Sequence, residues 1–372
     1  MTDGDESIRQ PVEVRCAAEL AALAAADRAP RPPGWRLSPQ AVETFVLGRD
    51  EPLPGPDGRP VAIAPKFVGD RRLVQVAIAT LASDRALLLA GEPGTAKSWL
   101  SEHLAAAICG TSELTIQGTA GTTEEQIKYG WNYALLIAEG PSRRALVESP
   151  ILRGMQRGAV VRFEEVTRCA AEVQDGLISI LSEQQVVIPE LDATVRARRG
   201  FAVIATANTR DRGVNEMSAA LKRRFNFVVI PGIADLEREV DVVARRSREI
   251  LGNLGVGAGA APPRDLIRLL ATVFAELRAG RTLDGQTSVK RPSAVLSTSE
   301  LISTVADGAL LASFFGDGRP TPAHLATGLL GTVVKEDRGD LQVLDEYLET
   351  AVRARTEGAW PAFYAAGRDL LG

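Results

Sequence analysis

Arg85-Ala86-Leu87-Leu88-Leu89-Ala90 runs into Gly91-Glu92-Pro93-Gly94-Thr95-Ala96-Lys97-Ser98, and then into a helix-forming stretch over 98–109. The first stretch reads as a buried strand and the second as a glycine-rich loop. A loop between a strand and a helix points its backbone N–H groups at one spot, and the helix N-terminus adds positive potential there. Gly91 and Gly94 let the backbone wrap phosphate groups. Lys97 would reach the β- and γ-phosphates of ATP, and the Ser98 hydroxyl would ligate Mg2+. The strict pattern places glycine just before the lysine, where this chain has Ala96. A chance glycine-rich turn is the bland alternative. The strand before the loop and the helix after it favour a nucleotide site.

Apolar runs and helical patterns alternate on both sides of this loop. ELTIQG (113–118), AVVRFEEV (159–166), FAVIATAN (201–208) and FNFVVI (225–230) read as four more strands. Helices are expected over 170–183 and 215–224. Such alternation predicts an α/β core with a five-stranded parallel sheet covered on both faces, over 66–231. Two segments do not fit plain alternation and are candidate working inserts. They are 117–136 (QGTAGTTEEQIKYGWNYALL) and the expected hairpin 184–200 (QQVVIPELDATVRARRG).

Three further groups of residues bear on chemistry. Val160-Val161-Arg162-Phe163-Glu164-Glu165 is an apolar strand ending in two acids. In P-loop ATPases the first acid holds magnesium, usually through water, and the second polarises the attacking water. Glu164 stands where aspartate is usual. A solvated strand end is the other reading. Asn208, at the tip of the fourth strand, could hold the attacking water or the γ-phosphate, though asparagine there is more often a turn residue. Arg223 and Arg224 end a helix just before the fifth strand. They read either as favourable charge at a helix C-terminus or as an arginine finger that reaches a neighbouring subunit's nucleotide.

The flanking regions carry weaker signals. Residues 1–15 are polar and read as disordered, and 16–27 as an alanine-rich helix. A helix over 37–48 is capped by Ser38 with Pro39 in its first turn, and 51–60 reads as a hairpin or loop. Residues 1–65 are thus an N-terminal extension. After Pro231 the strand signals stop. Helices are expected over 234–250, 263–280, 292–315 and 322–333, giving a small all-α domain (232–340) and a helical tail (341–372).

Composition limits the function. The 372 residues carry 43 Lys and Arg against 47 Asp and Glu, a net charge of −4, with no basic arm for nucleic acid. Three scattered cysteines and two distant histidines give no metal or triad spacing, and the cysteine usage suits a reducing cytosol. No apolar run approaches membrane-spanning length, and the N-terminus has no signal-peptide pattern. A cytoplasmic protein without membrane contact is expected.

The motifs, in this order, resemble the AAA+ superfamily and within it the MoxR branch, over roughly 66–335. The most specific stretch is FEEVTRCAAEVQDGLISILSEQQVVIP (163–189), similar to the family's acidic motif, with Arg168 after the second acid and a helix leading into a hairpin. ATANTRDRGVNEMSAALKRRFNF (205–227) resembles the first sensor strand and the finger helix. VGDRRLV (68–74) resembles the segment beside the adenine, which implicates Val68 and Gly69. The resemblance implies an αβα sandwich followed by an all-α lid, with ATP and Mg2+ bound at a subunit boundary in a hexamer. It places Glu92, Pro93 and Thr95 in the phosphate loop with their neighbours. It also implies a second sensor within SVKRPSAVLS (288–297), where Lys290 and Arg291 compete. The inserts, the first with its tip from Ala120 to Tyr133, would face the pore or a client.

MoxR-type ATPases commonly act with proteins carrying a von Willebrand factor A domain. The resemblance therefore implies an oligomeric ring that remodels such a partner or another protein client. Two alternatives remain at this stage. One is a nucleic-acid-dependent motor, disfavoured by charge. The other is a slowly hydrolysing ATP-gated scaffold, motivated by Glu164.

Overall fold

The computed structural model describes residues 9–209, 215–335 and 339–372. The disorder expected for residues 1–8 and the 210–214 part of the expected finger segment lie outside the described residues. The chain forms two units: the first runs to Glu92 and takes up again over Ala96–Pro231, and the second takes Pro93–Thr95 with Gly232–Gly372.

The first unit is built on five strands. They are β1 (Ala86–Gly91), β2 (Thr115–Gln117), β3 (Val160–Glu164), β4 (Ala202–Asn208) and β5 (Phe225–Ile230). All pair in parallel, in the order β5-β1-β4-β3-β2. Every residue of β1 and β3 is buried; β1 accordingly reads as a continuous apolar run rather than as alternation, while β3 buries Arg162 and Glu164 among its apolar residues. Alternate side chains of β1 enter different cores: Leu87 and Leu89 join one cluster, Ala86 and Leu88 the other. The register sets Asn208 beside Gly91 and Gln117 beside Glu164, so the C-terminal ends of these strands share one edge of the sheet. Ligands of open α/β sheets bind at that edge.

The N-terminal extension covers one face. Residues 9–15 are ordered, against expectation. Val12–Arg15 forms a short helix, and the Glu13 carboxylate accepts from the Ser112 N–H at 3.0 Å and the Ser112 hydroxyl at 2.8 Å. Arg9 pairs with Glu102 at 2.8 Å. These contacts span about a hundred positions of chain, which local sequence patterns do not report. The helix Pro39–Leu47 begins as expected, with the Ser38 hydroxyl accepting from the Ala41 N–H at 3.2 Å. Val42 and Phe45 pack in one cluster with Leu87, Leu89 and Leu104, so the extension is part of the α/β unit. Leu53–Pro54 and Pro60–Val61 form the small hairpin.

The inserts lie on the other cluster. The first runs further than 136. It contains the helix Glu124–Ile127, an antiparallel pair of Tyr129–Trp131 with Leu146–Glu148, and the helix Tyr133–Glu139 between those two strands. That last helix has no buried residue, and Ile137 is 86% exposed. In the second insert, Gln185–Ile188 pairs antiparallel with Ala193–Arg196, the expected hairpin. The two inserts touch: the Tyr129 hydroxyl donates to Glu190 Oε2 at 3.0 Å. Partial burial and this carboxylate push the Tyr129 phenol up to about 12.

Two helical expectations fail at their starts for the same reason. The helix expected over 215–224 is only Ala219–Lys222, because Ser218 caps it by accepting from the Leu221 N–H at 3.2 Å. Asn215 is meanwhile held away, its amide donating to the Cys169 carbonyl at 2.9 Å. In the second unit the helix expected over 292–315 starts at Thr298. Ser297 and Glu300 form a capping box there, a stronger start than the proline at 292. The other helices of this unit are Leu236–Asn253, Arg264–Ala279, Pro322–Val333, Gly339–Tyr347 and Trp360–Leu371. The supposed tail is core: Tyr347 and Phe363 are fully buried in one cluster with Leu270 and Phe274. Glu276, also fully buried, accepts from the Tyr347 hydroxyl at 2.7 Å and from Arg355 at 2.6 Å. This satisfies a charge that would otherwise be costly to bury.

Candidate nucleotide site

The loop after β1 turns on two left-handed residues. Gly94 has φ +73° and Ala96 has φ +64°, the latter directly before the helix Lys97–Cys109. Alanine at that conformation is strained, which is why the strict pattern has glycine. Lys97 is buried, and its ammonium donates to the carbonyls of Gly91 at 3.2 Å and Glu92 at 2.7 Å.

Beside the loop, β3 delivers Glu164. The Ser98 hydroxyl donates to its Oε2 at 2.6 Å and the Thr206 hydroxyl, from β4, donates to the same oxygen at 2.7 Å. Its Oε1 accepts from the Ser101 hydroxyl at 2.7 Å and from the Arg162 guanidinium at 2.8 Å. Glu164 is only 4% exposed. Burial alone would raise its pKa, but Arg162 and the three hydroxyls outweigh it and hold the carboxyl below its ordinary range. The acid is therefore a fixed anion beside Ser98.

Glu165 follows at φ +54°, a left-handed conformation that turns its side chain out of the strand direction. Its N–H donates to Thr206 Oγ1 at 2.9 Å, and its carboxylate pairs with Arg168 at 2.5 Å. Gly118 sits against this turn, where a Cβ would lie 2.4 Å from the Glu165 carbonyl oxygen. Asn208 ends β4 opposite Gly91, at the same edge. Val68 and Gly69 lie close by in sequence to Lys66, whose carbonyl accepts from Trp99 Nε1 at 2.8 Å; this ties their segment to the phosphate-loop helix.

Arg223 and Arg224 lie elsewhere in the first unit. Arg223 and Arg224 precede β5, whose first residue pairs with Ala86 at the start of β1. They are thus at the opposite end of the sheet from the loop, about 17 Å or more along the strands. Arg224 donates to Ser182 Oγ at 2.9 Å, while Arg223 is exposed. Lys290 and Arg291 belong to the helical unit. Lys290 pairs with Glu346 at 2.6 Å, and Arg291 donates to the Ala279 carbonyl at 2.8 Å. Neither starts a helix, since the nearest begins at Thr298.

Three residues in the cluster had no role assigned from sequence: Ser101, Arg162 and Thr206. The signals were present. Arg162 and Glu164 are two apart in a strand and share a face, and Ser98 and Ser101 are three apart on a helix. An arginine inside an otherwise apolar strand needs a buried partner.

A family model for the AAA domain of the dynein-related subfamily matches residues 86–225. One for the YehL-like AAA+ ATPase C-terminal domain matches residues 237–368. The Escherichia coli (strain K12) protein YehL is 46% identical over 365 residues, 97% of each chain. This chain belongs to the YehL-like AAA+ ATPases. As a member of that family it binds ATP and hydrolyses it. A Staphylococcus aureus (strain USA300) protein is 27% identical over 140 residues, 37% of this chain and 52% of that one. Brucella abortus NtrX, solved with ATP, is 15% identical with a TM-score of 0.45 over 83% of this chain and 70% of its own. The YehL-like match takes in 341–368, the segment that the packing also puts in the helical core. No helix among the described residues is long and apolar enough to cross a membrane.

Proposed function

We propose that this YehL-like ATPase is a Mg-ATP-driven ring of the MoxR type that remodels or activates a partner protein. In this reading Lys97 and the loop residues Gly91 to Ser98 hold the phosphates. Ser98 and Glu164 hold Mg2+, Glu165 polarises the attacking water and Asn208 orients it. Arg224, with Arg223 beside it, completes the site of the next subunit. Val68 and Gly69 flank the adenine, and Arg291 or Lys290 serves as the second sensor.

The observation that carries the reading is the separation of Arg223 and Arg224 from the phosphate loop by the length of β1. A finger so placed can act only on a neighbour's nucleotide, which makes hydrolysis depend on assembly. Magnesium fits the donor set. No group of three or more His, Cys, Asp or Glu capable of holding a metal exists among the described residues. Magnesium bound through one carboxylate, one hydroxyl, water and substrate phosphates needs none. When bound it would neutralise charge on the phosphates. The exposed helix Tyr133–Glu139 and the hairpin Gln185–Arg196 support a client-facing role for the inserts. A von Willebrand A-domain protein is the partner that the MoxR resemblance implies.

An ATP-dependent pull-down with Glu165→Gln, read by mass spectrometry, tests the function. A folded protein client retained only with ATP is the expected result. Nucleic acid and DNA-processing proteins in its place would overturn it. A slowly hydrolysing scaffold is the second reading, favoured by the Glu165–Arg168 pair. Steady turnover by the purified assembly rules it out.

A further inference from the structure

Strand β3 carries a buried ion pair between two of its own residues, Arg162 and Glu164. Arg162 is 7% exposed, and each of its three guanidinium nitrogens donates a hydrogen bond. Nη2 donates to Glu164 Oε1 at 2.8 Å and Nε to Ser101 Oγ at 3.0 Å. Nη1 donates to the Ser112 carbonyl at 2.9 Å and to Thr115 Oγ1 at 3.2 Å. Ser112 is itself fixed by Glu13 of the N-terminal extension. Ser101 accepts from Arg162 and offers its hydroxyl to Glu164 Oε1, so two groups hold the same oxygen.

We infer that Arg162 is a positioning residue that adapts a glutamate to the metal-holding place. Glutamate is one methylene longer than aspartate and has one more rotatable bond. Arg162 and Ser101 take up that length by anchoring Oε1, which leaves Oε2 for Ser98 and Thr206. Oε2 is then presented toward Ser98 in a single orientation. A charged donor with planar, forked geometry suits this task, since it fixes direction as well as distance. The pair is matched: aspartate would be too short to meet the anchored guanidinium and Ser98 together. The inference rests on the proposed metal role of Glu164.

The test is a Mg2+ titration of full-length protein carrying a fluorescent, non-hydrolysable ATP analogue. Wild type, Arg162→Met, Glu164→Asp and the double variant are compared. The readouts are the half-saturating Mg2+ concentration and the analogue's affinity in EDTA. Each single variant is expected to need about 10- to 100-fold more Mg2+, with its affinity in EDTA unchanged. The double variant, an apolar strand ending in aspartate, is expected to recover part of that loss. Folded single variants with wild-type half-saturation would overturn the inference. If Arg162→Met does not fold, Glu164→Asp decides alone: wild-type Mg2+ response in it contradicts the matched pair. A wild type with no Mg2+ response at all would instead remove the metal role of Glu164, and the clamp with it.

Discussion

The Ser98 hydroxyl donates to Glu164 Oε2 at 2.6 Å, joining the residue after the phosphate-loop lysine to the acidic end of β3. Two elements far apart in sequence thus meet at one oxygen pair. Lys97 and Glu165 can be separated by their effects. Lys97→Ala is expected to weaken ATP binding by about 100-fold. Glu165→Gln is expected to keep binding while hydrolysis falls by about 10²- to 10⁴-fold. Calorimetric titration with ATP and a coupled phosphate assay check both. Wild-type turnover by Glu165→Gln would move the base elsewhere.

Ala96 stores strain at φ +64°. Ala96→Val puts a β-branched side chain at that conformation and should lower stability by about 1–3 kcal/mol. Ala96→Gly relieves the strain but loosens the unfolded chain by a similar amount, so little net change is expected. Urea unfolding of the three proteins checks the order. An Ala96→Val protein as stable as wild type would mean that the loop adopts another conformation.

Gly158 ends the helix Pro150–Arg157 at φ +66°, and a Cβ there would lie 2.3 Å from the Arg199 carbonyl oxygen. Arg199 lies three residues past the hairpin's second strand, and the Arg198 N–H donates to the Met155 carbonyl at 2.8 Å, so the base of the hairpin packs on this helix. Gly158→Ala should cost about 1–3 kcal/mol and lower the melting temperature. Unchanged melting would show that the hairpin base can shift at little cost.

Asp27 ties the N-terminal extension together. Its Oδ1 accepts from the Ser38 hydroxyl at 2.7 Å and its Oδ2 from the Ser38 N–H at 2.8 Å. Burial opposes ionisation, but the Ser38 bonds, Ala29 and Arg31 prevail and lower the pKa from its ordinary 3.8. A lowered carboxylate pKa stabilises the fold above the unfolded value. That stability is lost as pH falls through the still lower folded value. Asp27→Asn should therefore be less stable than wild type by about 1–2 kcal/mol near neutrality. The gap should persist down to about pH 4 and close only below it. Urea midpoints across that range provide the check, and a gap that opens toward acid would reverse the sign.

The sheet was legible because its central strands β1, β3 and β4 are buried on both faces and all five are bounded by glycine, polar residues or turns. Ala86–Gly91 and Phe225–Ile230 fall within a residue of the expected spans. The loop was legible because phosphate chemistry needs glycine, lysine and serine at fixed spacing. Helix starts were less so: Ser218 and Ser297 win over earlier residues by side-chain bonds that propensity does not weigh. The N-terminal packing was hidden because Glu13 and Ser112 are partners only in space. Arg162 was overlooked because an apolar strand reading absorbs one charge without asking for its partner. The trans role proposed for Arg223 and Arg224 rests in the sequence on their place before β5 and on the family resemblance of 205–227.

The central claim is that each ATP site is completed by the next subunit. The direct measurement mixes two inactive variants, Glu165→Gln and Arg224→Ala, and follows phosphate release after subunit exchange. In a mixed assembly some boundaries pair an intact Glu165 with an intact Arg224. Activity should return on mixing and grow with the extent of exchange. Mixed assemblies that stay inactive, or an Arg224→Ala protein that hydrolyses ATP at the wild-type rate by itself, would contradict the account.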